Sequence, residues 1–305
     1  ATPVLPTATP TVTPVPPTAT ATPVLPTATA TATATATPTA TPVRMPPILK
    51  NLLLDTFSPY DPITQTSGVF DFNRAYFLEG NQQVVGPLLD YGRPGYKSSQ
   101  PELISGNIEF RVSSDTLVYA PIDGIVEKIS WHSSGGLHAD WDDWSISIKP
   151  MSDQRPPSPP GHAEPENTWL VEIDHLVSLE CPRPRVMPEI CDTPLMIDGQ
   201  ENSPGHEINA GQVLAYVGNL ADYHGTGLNG RVELQINRTT DNWQIVEGYC
   251  SILFLDDNIR STWELEIENY MRDYEVWAGN DEIYDESDMV VPACHYSSVI
   301  YDKST

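Results

Sequence analysis

The sequence has no apolar run long enough to cross a bilayer. Its best stretch, Pro46 to Leu54, carries Lys50 and falls well short of the ~18 residues a span needs. Basic residues are scarce: 16 Lys and Arg stand against 41 Asp and Glu, for a formal net charge of -25. Such a surface repels phosphate backbones, which excludes nucleic acid as a partner. It suits an extracellular protein that meets divalent cations. Cysteine is limited to four residues, none in a CxxC pair, and this removes a zinc knuckle. No P-loop, GxGxxG or GxSxG motif occurs, and nothing locates a Ser-His-Asp triad. The chain opens on Ala1 without a basic, apolar leader, as expected of a secreted protein after its signal is removed.

What is present begins with an unusual arm, residues 1–45. Up to Val43 it uses only Ala, Thr, Pro, Val and Leu, and the unit ATPVLPTAT occurs at Ala1–Thr9 and again at Ala21–Thr29. Frequent proline fixes φ and removes backbone donors, so polyproline II is the default local state. At ~3.1 Å per residue such an arm reaches roughly 130 Å. One part lacks proline: Thr29, Thr31, Thr33, Thr35 and Thr37 alternate strictly with Ala. That alternation puts every threonine on one face of a strand, and β-branched threonine favours extended backbone. Three roles suit the arm. It is a flexible linker, a mucin-like stalk, or an assembly arm that adds a strand to a neighbour's sheet edge. The stalk reading makes Thr2, Thr7, Thr9, Thr11, Thr13, Thr18, Thr20, Thr22, Thr27, Thr39 and Thr41 candidate O-glycosylation sites.

The foldable remainder divides into three. Residues 46–102 read as an N-terminal cap of short apolar runs broken by turns. Residues 103–249 read as a compact antiparallel β-domain, and 250–305 as a helical extension. In the middle part, NIEFRV, LVYAPIDGIVEKIS, WSISIKP, TWLVEIDHLVSL, INAGQVLAYVGN and GRVELQINR are alternating, β-branched segments bounded by Gly, Pro, Asn and Asp. In the extension, Ser261-Thr262-Trp263-Glu264 forms a capping box that predicts a helix start. Trp263, Ile267, Tyr270, Met271 and Tyr274 then recur on one face, and Gly279 supplies a stop. Four cysteines allow three pairings. The expected one joins Cys181 to Cys191 across a proline-rich loop and Cys250 to Cys294 across the C-terminal segment; the alternative is four buried thiols.

VYAPIDGIVEKI, INAGQVLAYVGN and the spacing between them resemble the lysostaphin-type (LytM-like) zinc endopeptidases, over roughly Ser105 to Arg238. The resemblance implies a secreted bacterial protein with a mainly β fold and a zinc centre made by an HxxxD motif and a late HxH, with a further histidine in a YAHL motif. Carried over residue by residue, the HxxxD falls on Ser105 and Glu109, and the HxH on Arg231 and Glu233. Serine is a poor zinc ligand, and arginine cannot coordinate a cation. His175, in IDHL, matches the YAHL histidine; a hydrogen-bonded histidine near a strand end is the simpler account of it. These five positions therefore imply a degenerate centre, with no catalytic residue and no metal. His132, His138, His162, His206 and His224 have no ligand spacing that rebuilds one.

Two runs, His138–Trp144 and Asn280–Asp288, are dense in carboxylates, and calcium suits either one; acidic loops are more often simply solvated. Asn237-Arg238-Thr239 is a glycosylation sequon by pattern. The expected function is structural: a subunit of an extracellular fibre or surface array that partners itself head to tail through the arm. A peptidoglycan-binding module and an active zinc endopeptidase are the alternatives.

Overall fold

The computed structural model describes residues 46–54, 58–72, 77–79, 83–85, 88–93, 105–132, 143–151, 168–182, 191–220, 229–240 and 245–302. The chain divides into two units, Ala1–Pro42 and Val43–Thr305, and all the described residues belong to the second. The arm's threonines lie outside them, as do His138, His162 and His224.

The second unit is mainly antiparallel β with one α-helix among the described residues. A short hairpin of β1 (Thr66–Ser67) and β2 (Phe70–Asp71) opens it, followed by a second pair, β3 (Phe77–Glu79) and β4 (Gln83–Val85). Among the described residues, the principal sheet has 11 strands. Its first members are β5 (Leu88–Leu89), β6 (Ile108–Ser113), β7 (Leu117–Tyr119), β8 (Gly124–His132), β9 (Asp143–Pro150) and β10 (Thr168–Val177). A small hairpin of β11 (Met196–Ile197) and β12 (Gln200–Glu201) stands apart from the sheet. The sheet then takes in β13 (Glu207–Ile208), β14 (Val213–Leu220), β15 (Asn229–Thr240), β16 (Ile245–Tyr249) and β17 (Ser298–Asp302). Its long path runs β13-β8-β9-β10-β14-β15-β16-β17, with β10 also pairing β15 and β6 also pairing β15.

Period-2 alternation gives this sheet two unlike faces. On β6, Ile108, Phe110 and Val112 join the apolar core; on β15, Val232, Leu234 and Ile236 do the same. Glu109 and Arg111 alternate with the first set, and Arg231, Glu233 and Asn237 with the second. Register brings the polar residues together, with Arg231 opposite Arg111 and Glu233 opposite Glu109.

The helix, α1 (Asp257–Ala278), starts earlier than its sequence suggests. Asp256 is the N-cap, and its carboxylate accepts the Asn258 N–H at 2.9 Å. Ser261, expected as the cap, is already inside the helix. Asp256 wins because it satisfies an orphan N–H at the true chain entry, while an interior serine has no free N–H to serve. The stop at Gly279 is as expected, with φ 66° in the left-handed region. The buried face carries Trp263, Ile267, Tyr270, Met271 and Tyr274, plus Glu275. Its rings meet the cap: Tyr270 lies 4.5 Å from Phe70 and Tyr274 5.1 Å from Phe72, between centroids. Glu275 Oε1 accepts the N–H groups of Ile283 and Tyr284 at 3.1 and 2.9 Å, so the chain beyond the helix folds back onto it.

Both disulfides form as expected, Cys181–Cys191 and Cys250–Cys294. They suit an oxidising compartment. Among the described residues, no helix is long and apolar enough to cross a membrane.

Candidate functional site

The polar face of the sheet holds a buried cluster of charge where β6, β15, β10 and β9 lie side by side. Glu109 is fully buried, and its Oε1 accepts from Arg111 Nε at 2.6 Å. Its other oxygen lies 3.7 Å from Arg231 Nη1. Arg231 Nη2 stands 3.5 Å from Glu233 Oε1 and touches the His175 Nε2. His175 donates its Nδ1–H to Asp143 Oδ2 at 2.6 Å, and its Nε2 lies 3.3 Å from Glu233 Oε1.

Local backbone explains why His175 reaches this centre. Thr168 to Asp174 pair with β15, whereas Leu176 and Val177 pair with β14. The strand changes partner at His175, which takes φ 63°. The register with β9 also shifts between Ile173 and Leu176. A left-handed non-glycine residue costs on the order of 1–3 kcal/mol and persists only where its surroundings demand it. Here it breaks the alternation and turns the imidazole in among the charges. Gly218, on β14, leaves the room: a Cβ there would stand 3.0 Å from Asp143 Oδ2 and from the His175 backbone and Cβ.

The cluster shifts the proton affinities of its members. Burial disfavours the Glu109 carboxylate, but Arg111 and Arg231 outweigh it and hold the group at about 2. Burial and Arg231 disfavour the His175 imidazolium; Asp143 and Glu233 outweigh both and raise it to about 10. Burial pushes the Asp143 carboxyl up, against the pull of His175.

Beside this centre, on three adjacent strands, lies a second group. His132 Nδ1 is 3.2 Å from Asp174 Oδ1 and 3.8 Å from Asp143 Oδ1. The carboxylate of Asp174 raises the proton affinity of His132, against burial. Farther along the polar face, Asn237 donates to Glu172, which also accepts from Ser147 at 3.2 Å. Asn237 is buried, so its sequon is closed to a glycan in the folded state.

Of the five positions carried over from the sequence resemblance, the fold brings four together: Glu109, His175, Arg231 and Glu233. Ser105 stands apart, its N–H donated to the Arg93 carbonyl and its Oγ to the Asn107 carbonyl. The set does not fit a zinc ion. Ser105 points elsewhere, and a fixed guanidinium lies against the imidazole and carboxylate that would bind it. Sequence reading passed over Arg111, Asp174 and Gly218, and met Asp143 only as part of an acidic run. Arg111 was legible, since it shares a strand face with Glu109; the other three depend on the strand change at His175.

No protein-family model matches the chain, and no curated protein does. Solved structures similar to the chain include lysostaphin and Csd3. The solution structure of lysostaphin matches at 13% identity with a TM-score of 0.27, over 50% of this chain and 46% of that one. The crystal structure of Csd3 from Helicobacter pylori matches at 10% identity with a TM-score of 0.30, over 84% of this chain and 47% of that one. The chain spans about half the length of each.

Proposed function

We propose that this chain is a non-catalytic extracellular subunit, a β-body whose arm joins neighbouring copies into a fibre or surface array. The observation that carries the non-catalytic half is the seat of Arg231 against His175 and Glu233. Its guanidinium supplies in fixed form the positive charge that a metal would bring, and it cannot activate a water. The assembly half rests on the arm. Its Thr/Ala segment, Thr29 to Thr37, can pair as a strand with a sheet edge of the next copy, and the other threonines can carry O-glycans that keep the arm soluble. A head-to-tail contact of this kind grows open filaments unless a ring closes.

The test uses the full chain and a variant with Thr31, Thr33 and Thr35 changed to proline, which removes strand donors. Sedimentation and electron microscopy of concentrated protein should show filaments of uniform width for the first and monomers for the second. A full chain that stays monomeric sinks the assembly reading. Saturable capture by peptidoglycan of that monomer would replace it with a wall-binding role. Hydrolysis of peptidoglycan by the purified protein would overturn the non-catalytic half.

A further inference from the structure

The second group, His132, Asp143 and Asp174, has a feature that its own hydrogen bonds leave unexplained. Asp143 is completely buried, and its two oxygens are treated differently. Oδ2 accepts a hydrogen bond from His175 Nδ1–H. Oδ1 is buried and has no hydrogen-bond partner among the described residues. A carboxylate oxygen shut away from water without a donor is costly, and native proteins rarely leave one so. His132 Nδ1 stands 3.8 Å from it, too far for a hydrogen bond. A proton on that nitrogen serves Asp174 at 3.2 Å and leaves Asp143 Oδ1 unserved.

We propose that His132 Nδ1, Asp143 Oδ1 and Asp174 Oδ1 bind one divalent first-row transition-metal ion, of which Zn²⁺ is the probe. One ion serves all three donors at once. The three residues bring one ligand atom each, and these atoms lie within 4.8 Å of one another. Donors about 2 Å from a tetrahedral ion stand roughly 3.3 Å apart, so only small movements are needed. Two carboxylates neutralise the ion's charge. The imidazole selects a transition metal over calcium or magnesium, which prefer oxygen alone.

The surroundings orient each ligand as metal sites require. Ser145 Oγ is 3.3 Å from His132 Nε2, so the other ring nitrogen is the one turned toward the carboxylates. Asp174 Oδ1 accepts the His175 N–H at 2.9 Å, and Asp143 is held through Oδ2 by the His175 ring. The ligands sit on three neighbouring strands: His132 is opposite Asp143 in the β8–β9 register, and Asp174 is on β10. The side chains of His132 and Asp174 are 43% and 26% exposed, which leaves a way in for the ion and room for water as a fourth ligand. The alternative trio, Asp174, His175 and Glu233, also has its ligand atoms close together, but there Arg231 lies against both His175 and Glu233. The ion therefore belongs on the His132 side, where it would tie β8, β9 and β10 together; no catalytic step is required of it.

The experiment is a calorimetric titration of chelator-treated full-length protein with Zn²⁺, repeated with Ca²⁺, alongside His132→Ala and Asp174→Asn. One Zn²⁺ per chain is expected, bound at least tenfold more weakly by either variant, with no comparable heat from Ca²⁺. Zn²⁺ should also raise the melting temperature of the native chain and leave that of His132→Ala unchanged. The two variants, measured in chelator, should show the native circular dichroism, which separates a lost ligand from a lost fold. If either variant lacks that fold, His132→Gln and Asp174→Ser replace it. No saturable Zn²⁺ binding, or binding that survives both substitutions at full strength, overturns the assignment.

Discussion

Removing one partner from a buried ion pair leaves the other charge stranded, at about 3–5 kcal/mol, whereas the pair as a whole is often neutral in stability. Arg231 is a counter-charge to Glu109 and Glu233, although it opposes the charge on His175. Arg231→Met should therefore lower unfolding stability by about 3–5 kcal/mol in urea titrations at neutral pH. The double variant Arg231→Met with Glu233→Gln should recover part of that loss, because it leaves the Glu109–Arg111 and Asp143–His175 pairs intact. If the single variant is as stable as the native chain, the guanidinium is not the counter-charge described above. The pH dependence follows from Glu109, held at about 2 against an ordinary 4.5 by Arg111 and Arg231 despite its burial. A carboxyl with a depressed folded value binds more protons when unfolded, so it stabilises the fold at high pH. Its contribution is complete above about 4.5 and disappears as pH falls from there toward 2. Urea midpoints between pH 5 and pH 2.5 should fall for the native chain and fall less steeply for Glu109→Gln.

At the scale of the element, the change of partner along β10 decides the site. Gly218→Ala tests it, because the added Cβ meets Asp143 Oδ2 and the His175 backbone at 3.0 Å. Crowding of this kind costs about 1–3 kcal/mol. The histidine must move with it, so the Nδ1–Asp143 hydrogen bond should weaken. The imidazole NMR resonances of His175 should shift in this variant and titrate at a lower pH than in the native chain; unchanged resonances would show that the ring does not depend on Gly218. The helix offers an independent check. Tyr274 meets the edge of Phe72 and stacks on Trp277, at 5.1 and 5.4 Å. Tyr274→Ala should cost about 3–5 kcal/mol, as large aromatic deletions do. Asp256→Ala should cost only about 1 kcal/mol, the worth of one cap, and a still smaller effect alongside a large one for Ser261→Ala would restore the capping box read from the sequence.

For the whole molecule, the cap, the sheet and the helix share one apolar core, from Leu49 and Phe72 to Val232 and Tyr274. Cys250–Cys294 closes a segment with a sequence separation of 44 and joins the end of the sheet to the chain beyond the helix. By loop-closure entropy such a link is worth about 4 kcal/mol. Cys250→Ser with Cys294→Ser should show a loss of that order in urea, and the shorter Cys181–Cys191 link should matter less. The sequence by itself determined the mainly β character, the apolar face of the helix and its glycine stop. All of these rest on local periodicity, spacing and backbone preference, which a chain carries wherever it goes. It also placed Glu109, Arg231 and Glu233 on strand faces, because alternation is a local property. The tertiary structure alone decided that these charges meet His175 and Asp143, that Ser105 does not join them, and that His132, Asp143 and Asp174 converge beside them. Those contacts depend on strand register and on one left-handed residue at a change of sheet partner, and neither has a signature in the order of the amino acids.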